Sequence, residues 1–531
     1  MIILKRAEVF YNAKIYTEGG ECQVFDSMAI AGRTVLAVGN NLQNDTDFCR
    51  CKKTDLKGRT VLPGFTDSHT HFHFIAKSLN SVKLDGVRSL DEVLGRIRKH
   101  AAGLKRNEWL TGEGFSPDRW GKFIMPDRYM LDKITGGHPA AIYSKDQHMM
   151  WVNSQALKLA GIDSNTSDPP GGSIERLDDG EPSGILMEIP GYYPVIRMIK
   201  TPAAAKMKRL YEKALQLAYS QGVTGIHSFD ENDALPFYLE MSERGKLGLR
   251  INYYPRPSLL PELKKRKIGY GYGNDYLIIS GIKMFADGSL GSHTAFCFNK
   301  YKGTKSSYGI EVTLKKEMLA TIREASELGM PCAIHAIGDR AIANVLDCYE
   351  KAPRLKKGVF HRIEHLQMIR RSDIGRVKKL GVVASMQPSH CPSDIGLIEK
   401  YWGHRGRNCY LFNTLLRHDI PLIFGSDAPI ETLNPLAGIG AAVNRTAPWR
   451  KKAFYPEERI SVAEAVAGFT SRPAVAGGRA YDLGRLLPGY KADFIILSDN
   501  IYKVPRTRIG DVEIMATFFD GRPVYGHIAD I

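Results

Sequence analysis

The chain has 531 residues, of which 43% are hydrophobic and 24% are charged; this is an ordinary composition for a globular protein, and no apolar run approaches the roughly 20 residues that cross a bilayer. The formal net charge of +16 is spread along the chain without the signature of a nucleic-acid-binding module, so we expect neither a nucleic-acid nor a membrane partner. The first residues lack the apolar core of a secretory signal, which favours a cytoplasmic protein.

Both ends of the chain are predicted to consist of short β-strands. Residues 25–30 and 34–38 flank a turn that contains glycine, which is a hairpin pattern. Similar short apolar stretches occur near the other end, at residues 491–497, 516–519 and 522–525. We therefore predict one small β-sandwich domain built from residues 1–60 and 484–531.

Between these ends, residues 61–483 alternate between predicted strands and helices, a pattern typical of a parallel sheet covered by helices. Eight strands are predicted to begin near residues 61, 223, 249, 281, 331, 359, 382 and 421. Eight is the number that a (β/α)₈ TIM-like barrel requires. The interval between the first two strands is too long for one crossover, so we predict an insertion at about residues 75–200, with its own helices and a strand at 140–143.

The first predicted strand runs from Val61 into His69-Thr70-His71. Because side chains alternate along a strand, the two imidazoles are expected to point to the same side. Two imidazoles at the catalytic face of a barrel suit a Zn²⁺-class ion. The pair is weak evidence by itself, since 15 histidines are spread through the chain, and the interpretation depends on the later strands.

Four later strands carry further residues that could bind a metal: Lys283 on the fourth, His335 at the end of the fifth, His365 at the end of the sixth and Asp427 at the end of the eighth. The carboxyl ends of the strands of a barrel meet at one face, where the catalytic residues of this fold lie. The sequence therefore predicts a metal centre at this face.

Lys283 allows two interpretations. An unpaired lysine that points into a barrel is costly unless something changes its charge. Reaction of its amine with CO₂ would give a carbamate, an anionic oxygen ligand that can bridge two metals. Alternatively, Lys283 forms an ion pair with Asp287 or Asp427.

The motifs that contain these residues resemble the amidohydrolase superfamily, and within it the YtcJ-like amidohydrolase 3 family, which includes the N-substituted formamide deformylases. The resemblance runs nearly from end to end of the chain. Beyond the first-strand motif it covers Asp146-Gln147-His148, residues 151–157, 281–295 and 335–339, Arg362-Ile363-Glu364-His365, and residues 385–388, 425–429 and 487–493.

The resemblance implies a site with two divalent metal ions, for which we expect zinc. It places one metal on His69 and His71 and the other on His335 and His365, with N6-carboxylated Lys283 bridging them. Asp427 would bind the first metal and act as general base and then general acid. The implied reaction is hydrolysis of a non-peptide C–N (amide) bond, in which a hydroxide held by the metals attacks the carbonyl carbon.

Three further histidines are predicted to bind substrate. His148 matches a histidine of the family and contacts the substrate or makes a structural hydrogen bond. His390 is a candidate to bind the substrate or the oxyanion. His293 stands where family members often carry arginine, and histidine lacks the guanidinium fork that binds a carboxylate, so an inherited substrate preference does not follow.

Two other functions are considered. A mononuclear aminohydrolase (deaminase) of the same superfamily would need one metal and no bridging lysine, and a non-catalytic scaffold would have lost ligand residues. The sequence favours hydrolysis of a small-molecule amide over both, because Lys283 is present and every expected ligand position is filled. Cyclic amides, carbamates and esters share this chemistry, and a homo-oligomer is compatible with the sequence.

Overall fold

The structure is a computed structural model of the chain, and it describes residues 7–18, 24–84, 86–117, 120–121, 124–145, 149–169, 172–200, 202–304, 307–447 and 449–527. The chain divides into two compact units. The first comprises Met1–His73 with Leu215–Ile531, and the second comprises Phe74–Ala214. No helix in the described part of the chain is both long and apolar enough to cross a membrane.

The elements from Ala7 to Ser220 fall into two groups. The N-terminal strands are β1 (Ala7–Tyr11), β2 (Lys14–Tyr16), β3 (Val24–Phe25), β4 (Ser27–Ala31), β5 (Thr34–Gly39), β6 (Lys52–Asp55), β7 (Thr60–Pro63) and β8 (Phe65–Thr70). They are followed by α1 (Phe72–Ser78), β9 (Val82–Lys83), α2 (Leu90–Ala101), β10 (Leu110–Phe115), α3 (Arg128–Asp132), β11 (Ala140–Ser144), β12 (Met149–Val152), α4 (Ser154–Ala160), β13 (Ser173–Arg176), β14 (Pro182–Met187), α5 (Glu188–Ile196) and α6 (Ala204–Ser220).

The rest of the first unit alternates between strands and helices and then returns to strands. Its elements are β15 (Val223–Ser228), α7 (Ala234–Glu243), β16 (Arg250–Tyr253), α8 (Leu260–Arg266), β17 (Leu277–Ile279), β18 (Ile282–Phe285), α9 (Lys315–Glu327), β19 (Cys332–Ala336), α10 (Asp339–Glu350), β20 (Arg362–His365), α11 (Arg371–Leu380), β21 (Val383–Met386), α12 (His390–Leu397), α13 (Phe412–Arg417), β22 (Leu422–Phe424), α14 (Pro435–Asn444), α15 (Val462–Gly468), α16 (Ser471–Ala476), β23 (Phe494–Leu497), β24 (Ile514–Phe519) and β25 (Arg522–Tyr525).

Two parallel sheets lie in the first unit, with strand orders β8-β15-β16-β17 and β18-β19-β20-β21-β22. Backbone hydrogen bonds also join the two sheets at their margins. The N–H of Lys283 donates to the carbonyl of Pro255 at 2.9 Å, and the N–H of Asp427 donates to the carbonyl of His69 at 2.7 Å. The carboxyl ends of β8 and β22 therefore lie close together, and β18 lies beside the residues that follow β16.

Seven of the predicted strands correspond to β15, β16, β18, β19, β20, β21 and β22. Strand β17 has no counterpart in the prediction, because the apolar run from Leu277 to Phe285 contains two strands. Gly281, which has a φ of 154°, lies between them. Strands β17 and β18 belong to different sheets, so the strand predicted to begin near residue 281 corresponds to β18 alone.

The prediction of a single first strand from residue 61 to His71 is wrong. Strand β7 pairs antiparallel with β23, whereas β8 pairs parallel with β15, and Gly64 separates the two. A Cβ atom at position 64 would lie 2.3 Å from Oγ1 of Thr224, so only glycine allows the chain to pass from one sheet to the other here. Strand β8 ends at Thr70, and His71 is the next residue.

Strands from both ends of the chain form two further sheets, with orders β5-β4-β1-β6 and β25-β24-β23-β7-β2-β3. Their side chains share one apolar core. The ring of Phe10 lies edge-on to that of Phe494, with centroids 5.3 Å apart, and Phe494 stacks on Phe518 with centroids 4.2 Å apart. Burial of this apolar surface stabilises the association of the N-terminal and C-terminal strands.

The second unit has its own sheet, with the order β13-β14-β12-β11-β10-β9. The strand predicted at residues 140–143 is β11, an interior strand of this sheet. Along β12, Trp151 belongs to one buried cluster, whereas Met150 and Val152 belong to another. Because side chains alternate along a strand, both faces of the sheet are covered by apolar side chains.

Candidate metal centre

His69 and His71 lie where β8 ends, and both face Asp427. Nε2 of His71 is 3.2 Å from Oδ1 of Asp427, and Nε2 of His69 is 3.5 Å from the same oxygen. Potential ligand atoms of the three residues lie within 4.8 Å of one another. The two imidazoles therefore point to the same side, as the alternation of side chains predicts.

Asp427 follows β22 and is held by its own backbone, since its N–H donates to the carbonyl of His69. Its φ of 60° lies in the left-handed region, which is uncommon for a residue other than glycine. Burial alone would raise the pKa of the Asp427 carboxyl, but its surroundings, with the hydrogen bond from His71 first among them, hold the pKa well below its ordinary value. The group is therefore ionised at neutral pH and can bind a cation or accept a proton.

Three more histidines complete the cluster. The ring centroid of His365 lies 4.4 Å from that of His335, 5.0 Å from that of His69 and 5.9 Å from that of His390. Nε2 of His390 is 3.7 Å from Oδ2 of Asp427. His365, His390 and Asp427 form a second group whose potential ligand atoms lie within 4.8 Å of one another, so His390 is as close to Asp427 as a ligand would be.

The buried imidazoles of this cluster are neutral at physiological pH. Burial lowers the pKa of His335 to about 3 and that of His69 to about 4. Burial also lowers the pKa of His365 well below its ordinary value, and Nδ1 of His365 has no hydrogen-bond partner among the described residues. Because a metal binds the neutral imidazole, these side chains are already in the form that binds a cation.

Lys283 lies on β18 and is only 1% exposed. Its Nζ lies 4.7 Å from the ring centroid of Phe229 and 4.8 Å from that of Phe285. Burial lowers the pKa of the amine to about 7. A substantial fraction of Lys283 is therefore uncharged near neutral pH.

The expected alternative of an ion pair to Asp287 or Asp427 has no support in the hydrogen bonds of Lys283. Its Nζ has no hydrogen-bond partner in the described part of the chain. The Asp287 carboxylate instead accepts hydrogen bonds from the backbone N–H groups of Phe296, Ile337 and Gly338, at 2.8 to 3.0 Å. Within the described residues, the Lys283 amine therefore has no hydrogen-bond partner, although it lies beside a polar cluster.

Sequence reasoning missed the roles of Glu364 and Arg362. Oε2 of Glu364 lies 2.6 Å from Nδ1 of His69. The guanidinium of Arg362 donates to both oxygens of Glu364, at 2.5 and 3.1 Å. The spacing could have indicated both residues. Arg362 and Glu364 are two apart on one strand and so point to the same side, and Glu364 directly precedes the predicted ligand His365.

The other two predicted substrate-binding residues are His148 and His293. His148 lies outside the described residues. His293 lies in the segment after β18, where its ring centroid is 4.1 Å from that of Tyr401 and 5.2 Å from that of Tyr301. Of the three predicted substrate-binding histidines, His390 is the one that the structure places beside Asp427.

The donor set of this cluster fits divalent metal ions. It consists of neutral imidazole nitrogens and an ionised carboxylate, the ligand types that zinc and neighbouring transition metals bind. Three of its buried polar atoms lack a hydrogen-bond partner among the described residues: Nζ of Lys283, Nδ1 of His365 and Nε2 of His390. Buried polar atoms are rarely left unpaired in a folded protein, so bound cations would account for them.

The packing of Gly425 against His69 gives a testable prediction. A Cβ atom at position 425 would lie 2.3 Å from the backbone nitrogen of His69 and 2.7 Å from its Cβ. Gly425→Ala is therefore expected to lower the free energy of unfolding by about 1–3 kcal/mol, measured by urea denaturation, and to weaken zinc binding because it displaces His69. Gly440→Ala is the control, since the nearest atoms lie 3.9 Å from the Cβ it adds. A Gly425→Ala variant with wild-type stability would contradict this packing.

The site combines neutral imidazoles with an ionised carboxylate at the ends of parallel strands. These features are those of a metal-binding α/β hydrolase. A model of the Amidohydrolase family matches residues 53–525. The chain therefore belongs to the amidohydrolase family, a family of metal-dependent hydrolases, and is a hydrolase that acts on carbon–nitrogen bonds. The resemblance predicted from the motifs is confirmed.

Relatives match over nearly their full lengths. The chain is 32% identical to Protein LONG AFTER FAR-RED 3 of Arabidopsis thaliana, over 97% of this chain and 91% of the relative. It is 29% identical to the Bacillus subtilis protein YtcJ, named as an amidohydrolase, over 89% of this chain and 90% of the relative. It is 25% identical to the N-substituted formamide deformylase of Arthrobacter pascens, over 96% of each chain.

A solved structure matches with similar coverage. The crystal structure of an uncharacterized metal-dependent hydrolase from Pyrococcus furiosus superposes with a TM-score of 0.80 and 30% sequence identity, covering 94% of this chain and 100% of that chain. The similarity therefore extends to the arrangement of the elements as well as to the sequence.

Proposed function

We propose that this protein hydrolyses a non-peptide amide bond in a small molecule and uses two divalent metal ions, for which we expect zinc. The observation that carries the proposal is Lys283. Its buried amine has no hydrogen-bond partner among the described residues, and the end of its strand lies beside a cluster of neutral imidazoles and one ionised carboxylate. A structural lysine would have a carboxylate partner, whereas a lysine that becomes a metal ligand needs room for the metal.

In this proposal, His69, His71 and Asp427 would hold the first metal, and His335 and His365 would hold the second. Carboxylated Lys283 would supply an anionic oxygen ligand to both metals. The carbamate would form when the neutral amine attacks the carbon of CO₂. A bond forms between Nζ and the carbon, the electrons of one C–O π bond move to that oxygen, and the nitrogen loses one proton to water. The lowered pKa of Lys283, about 7 because of burial, favours the neutral amine that this reaction needs.

The metals would polarise the amide carbonyl and lower the pKa of water at the site. Asp427 accepts the proton of the attacking water and then donates it to the leaving nitrogen, so it acts as general base and general acid. His390, which lies 3.7 Å from Asp427, is placed to donate a hydrogen bond to the substrate or to the oxyanion. His148 and His293 remain proposed substrate-binding residues.

The proposal includes the architecture that positions this centre. The two parallel sheets would close into a (β/α)₈ TIM-like barrel over residues 61–483, with an insertion at about 75–200, and the terminal strands would form a β-sandwich from residues 1–60 and 484–531. The backbone hydrogen bonds at the margins of the parallel sheets support the barrel. The apolar core shared by the terminal sheets supports the sandwich.

The proposed substrate is a linear amide, such as an N-acyl or N-formyl compound. The similarity to an N-substituted formamide deformylase supports this class. A deaminase of the same superfamily would release ammonia from a ring and would need one metal, so the products and the metal count separate the two functions.

Removal of the metal is expected to abolish activity. The protein is treated with a chelator, dialysed, and assayed on a panel of N-substituted formamides, other linear amides, cyclic amides, esters and aminated heterocycles. Activity should fall by about 10³-fold or more and return when two zinc ions per chain are added back, whereas magnesium should not restore it. Full activity of metal-free protein, or ammonia release with one zinc per chain, would reject the proposal.

A further inference from the structure

We propose that Glu364, held in place by Arg362, is a positioning residue that orients His69 for the first metal ion. This inference rests on the proposed function, because it assigns to Glu364 a role in metal binding. Glu364 does not face the metal itself in this assignment. It acts through the imidazole of His69.

The contact between Glu364 and His69 is short and shielded from water. Oε2 of Glu364 is 2.6 Å from Nδ1 of His69, and the side chains of the two residues are 0% and 1% exposed. The guanidinium of Arg362 donates to both oxygens of Glu364, which pairs the side chain as a carboxylate. A carboxylate can only accept a hydrogen bond, so Nδ1 of His69 is the donor in this contact and carries the proton.

The tautomer determines which nitrogen binds a metal. With the proton on Nδ1, the lone pair of His69 lies on Nε2, the atom 3.5 Å from Oδ1 of Asp427. A histidine that binds a metal through one nitrogen usually donates its other N–H to a carboxylate or carbonyl, and this contact fixes the orientation of the ring. The ring also packs on Phe229, with centroids 4.4 Å apart, so rotation is restricted from a second direction.

Arg362 keeps Glu364 in position. It donates to both oxygens of Glu364. Its other hydrogen bonds include those to the carbonyl of Ser68 at 2.7 Å, Oγ of Ser385 at 2.8 Å and Nδ1 of His227 at 2.7 Å. These partners lie on β8, β21 and β15. The carboxylate that orients His69 is therefore fixed to the strands on both sides of the centre rather than free to rotate.

Zinc titration of the metal-free full-length protein, in competition with a chromogenic chelator, tests the proposal. Glu364→Asp keeps the charge opposite Arg362 but withdraws the carboxylate from His69 by one methylene. Glu364→Gln keeps the length but removes the charge. Both are expected to weaken one of the two zinc-binding steps by about 10–100-fold and to leave the other unchanged.

Asp482→Asn is the matched control. Asp482 is also buried and accepts two hydrogen bonds from one arginine, Arg479, at 2.9 and 2.5 Å, but it contacts no histidine in the described structure. Asp482→Asn is expected to lower thermal stability without changing either zinc-binding step. If Glu364→Gln fails to fold because Arg362 loses its counter-charge, Glu364→Asp decides the question.

The outcomes separate this inference from the proposed function. Unchanged zinc affinity in a folded Glu364→Asp variant would overturn the positioning role while leaving the metal centre intact. An equal loss of affinity in Asp482→Asn would also overturn it, since the effect would then be one of general destabilisation. Wild-type protein that binds no zinc would reject the proposed function itself.

Discussion

Replacing Lys283 by methionine is expected to lower kcat/KM for the amide substrate by about 10³-fold or more and to reduce the bound metal from two ions per chain to one. Methionine keeps the apolar stem between Phe229 and Phe285 but removes the amine that would become the bridging carbamate. Without an anionic bridge, two cations at close range repel each other, so one of them is lost.

The variant should fold at least as well as the wild type. In the wild type, the buried amine of Lys283 has no hydrogen-bond partner among the described residues. The methionine that replaces it therefore loses no hydrogen bond in the metal-free protein. Metal content is measured by elemental analysis and activity by steady-state kinetics. The control is Lys378→Met, since Lys378 lies on the surface and pairs only with the exposed Asp419 in the described structure. Full activity of Lys283→Met with one metal per chain would contradict the two-metal mechanism.

Replacing Asp427 by asparagine is expected to reduce kcat by about 10²–10⁴-fold. The amide has the shape of the carboxylate and its oxygen can still accept the hydrogen bond from His71, but it cannot take a proton from water. Asparagine also tolerates the left-handed backbone conformation that Asp427 adopts, so the fold should be retained.

The kinetic signature distinguishes loss of proton transfer from loss of substrate binding. For Asp427→Asn, kcat should fall with little change in KM, and activity should not return when zinc is added in excess. Asp419→Asn is the control on the surface and should behave like the wild type. Recovery of most activity with excess zinc would indicate that Asp427 serves only to bind the metal.

The sequence predicted the order and approximate position of most strands around the site. Apolar runs such as 332–336 and 383–386 are punctuated by glycine and proline, which end elements by local backbone preferences that need no tertiary context. The same local logic placed His335, His365 and Asp427 at strand ends. It failed at Gly64, where one apolar run contains two strands, and it missed β17, because the choice of pairing partner depends on residues far away in the chain.

The sequence by itself determined the family and the residue types of the candidate centre. Motifs such as His69-Thr70-His71 and Gly425-Ser426-Asp427 are contiguous, so their ligand types can be read without knowledge of the tertiary structure. The tertiary structure leaves the amine of Lys283 without a hydrogen-bond partner among the described residues, since whether a carboxylate reaches a buried amine depends on packing. It also revealed the contact of Glu364 with His69, two residues separated by 295 positions. Distances of this kind are set by the closure of sheets around a core, and no local pattern encodes them.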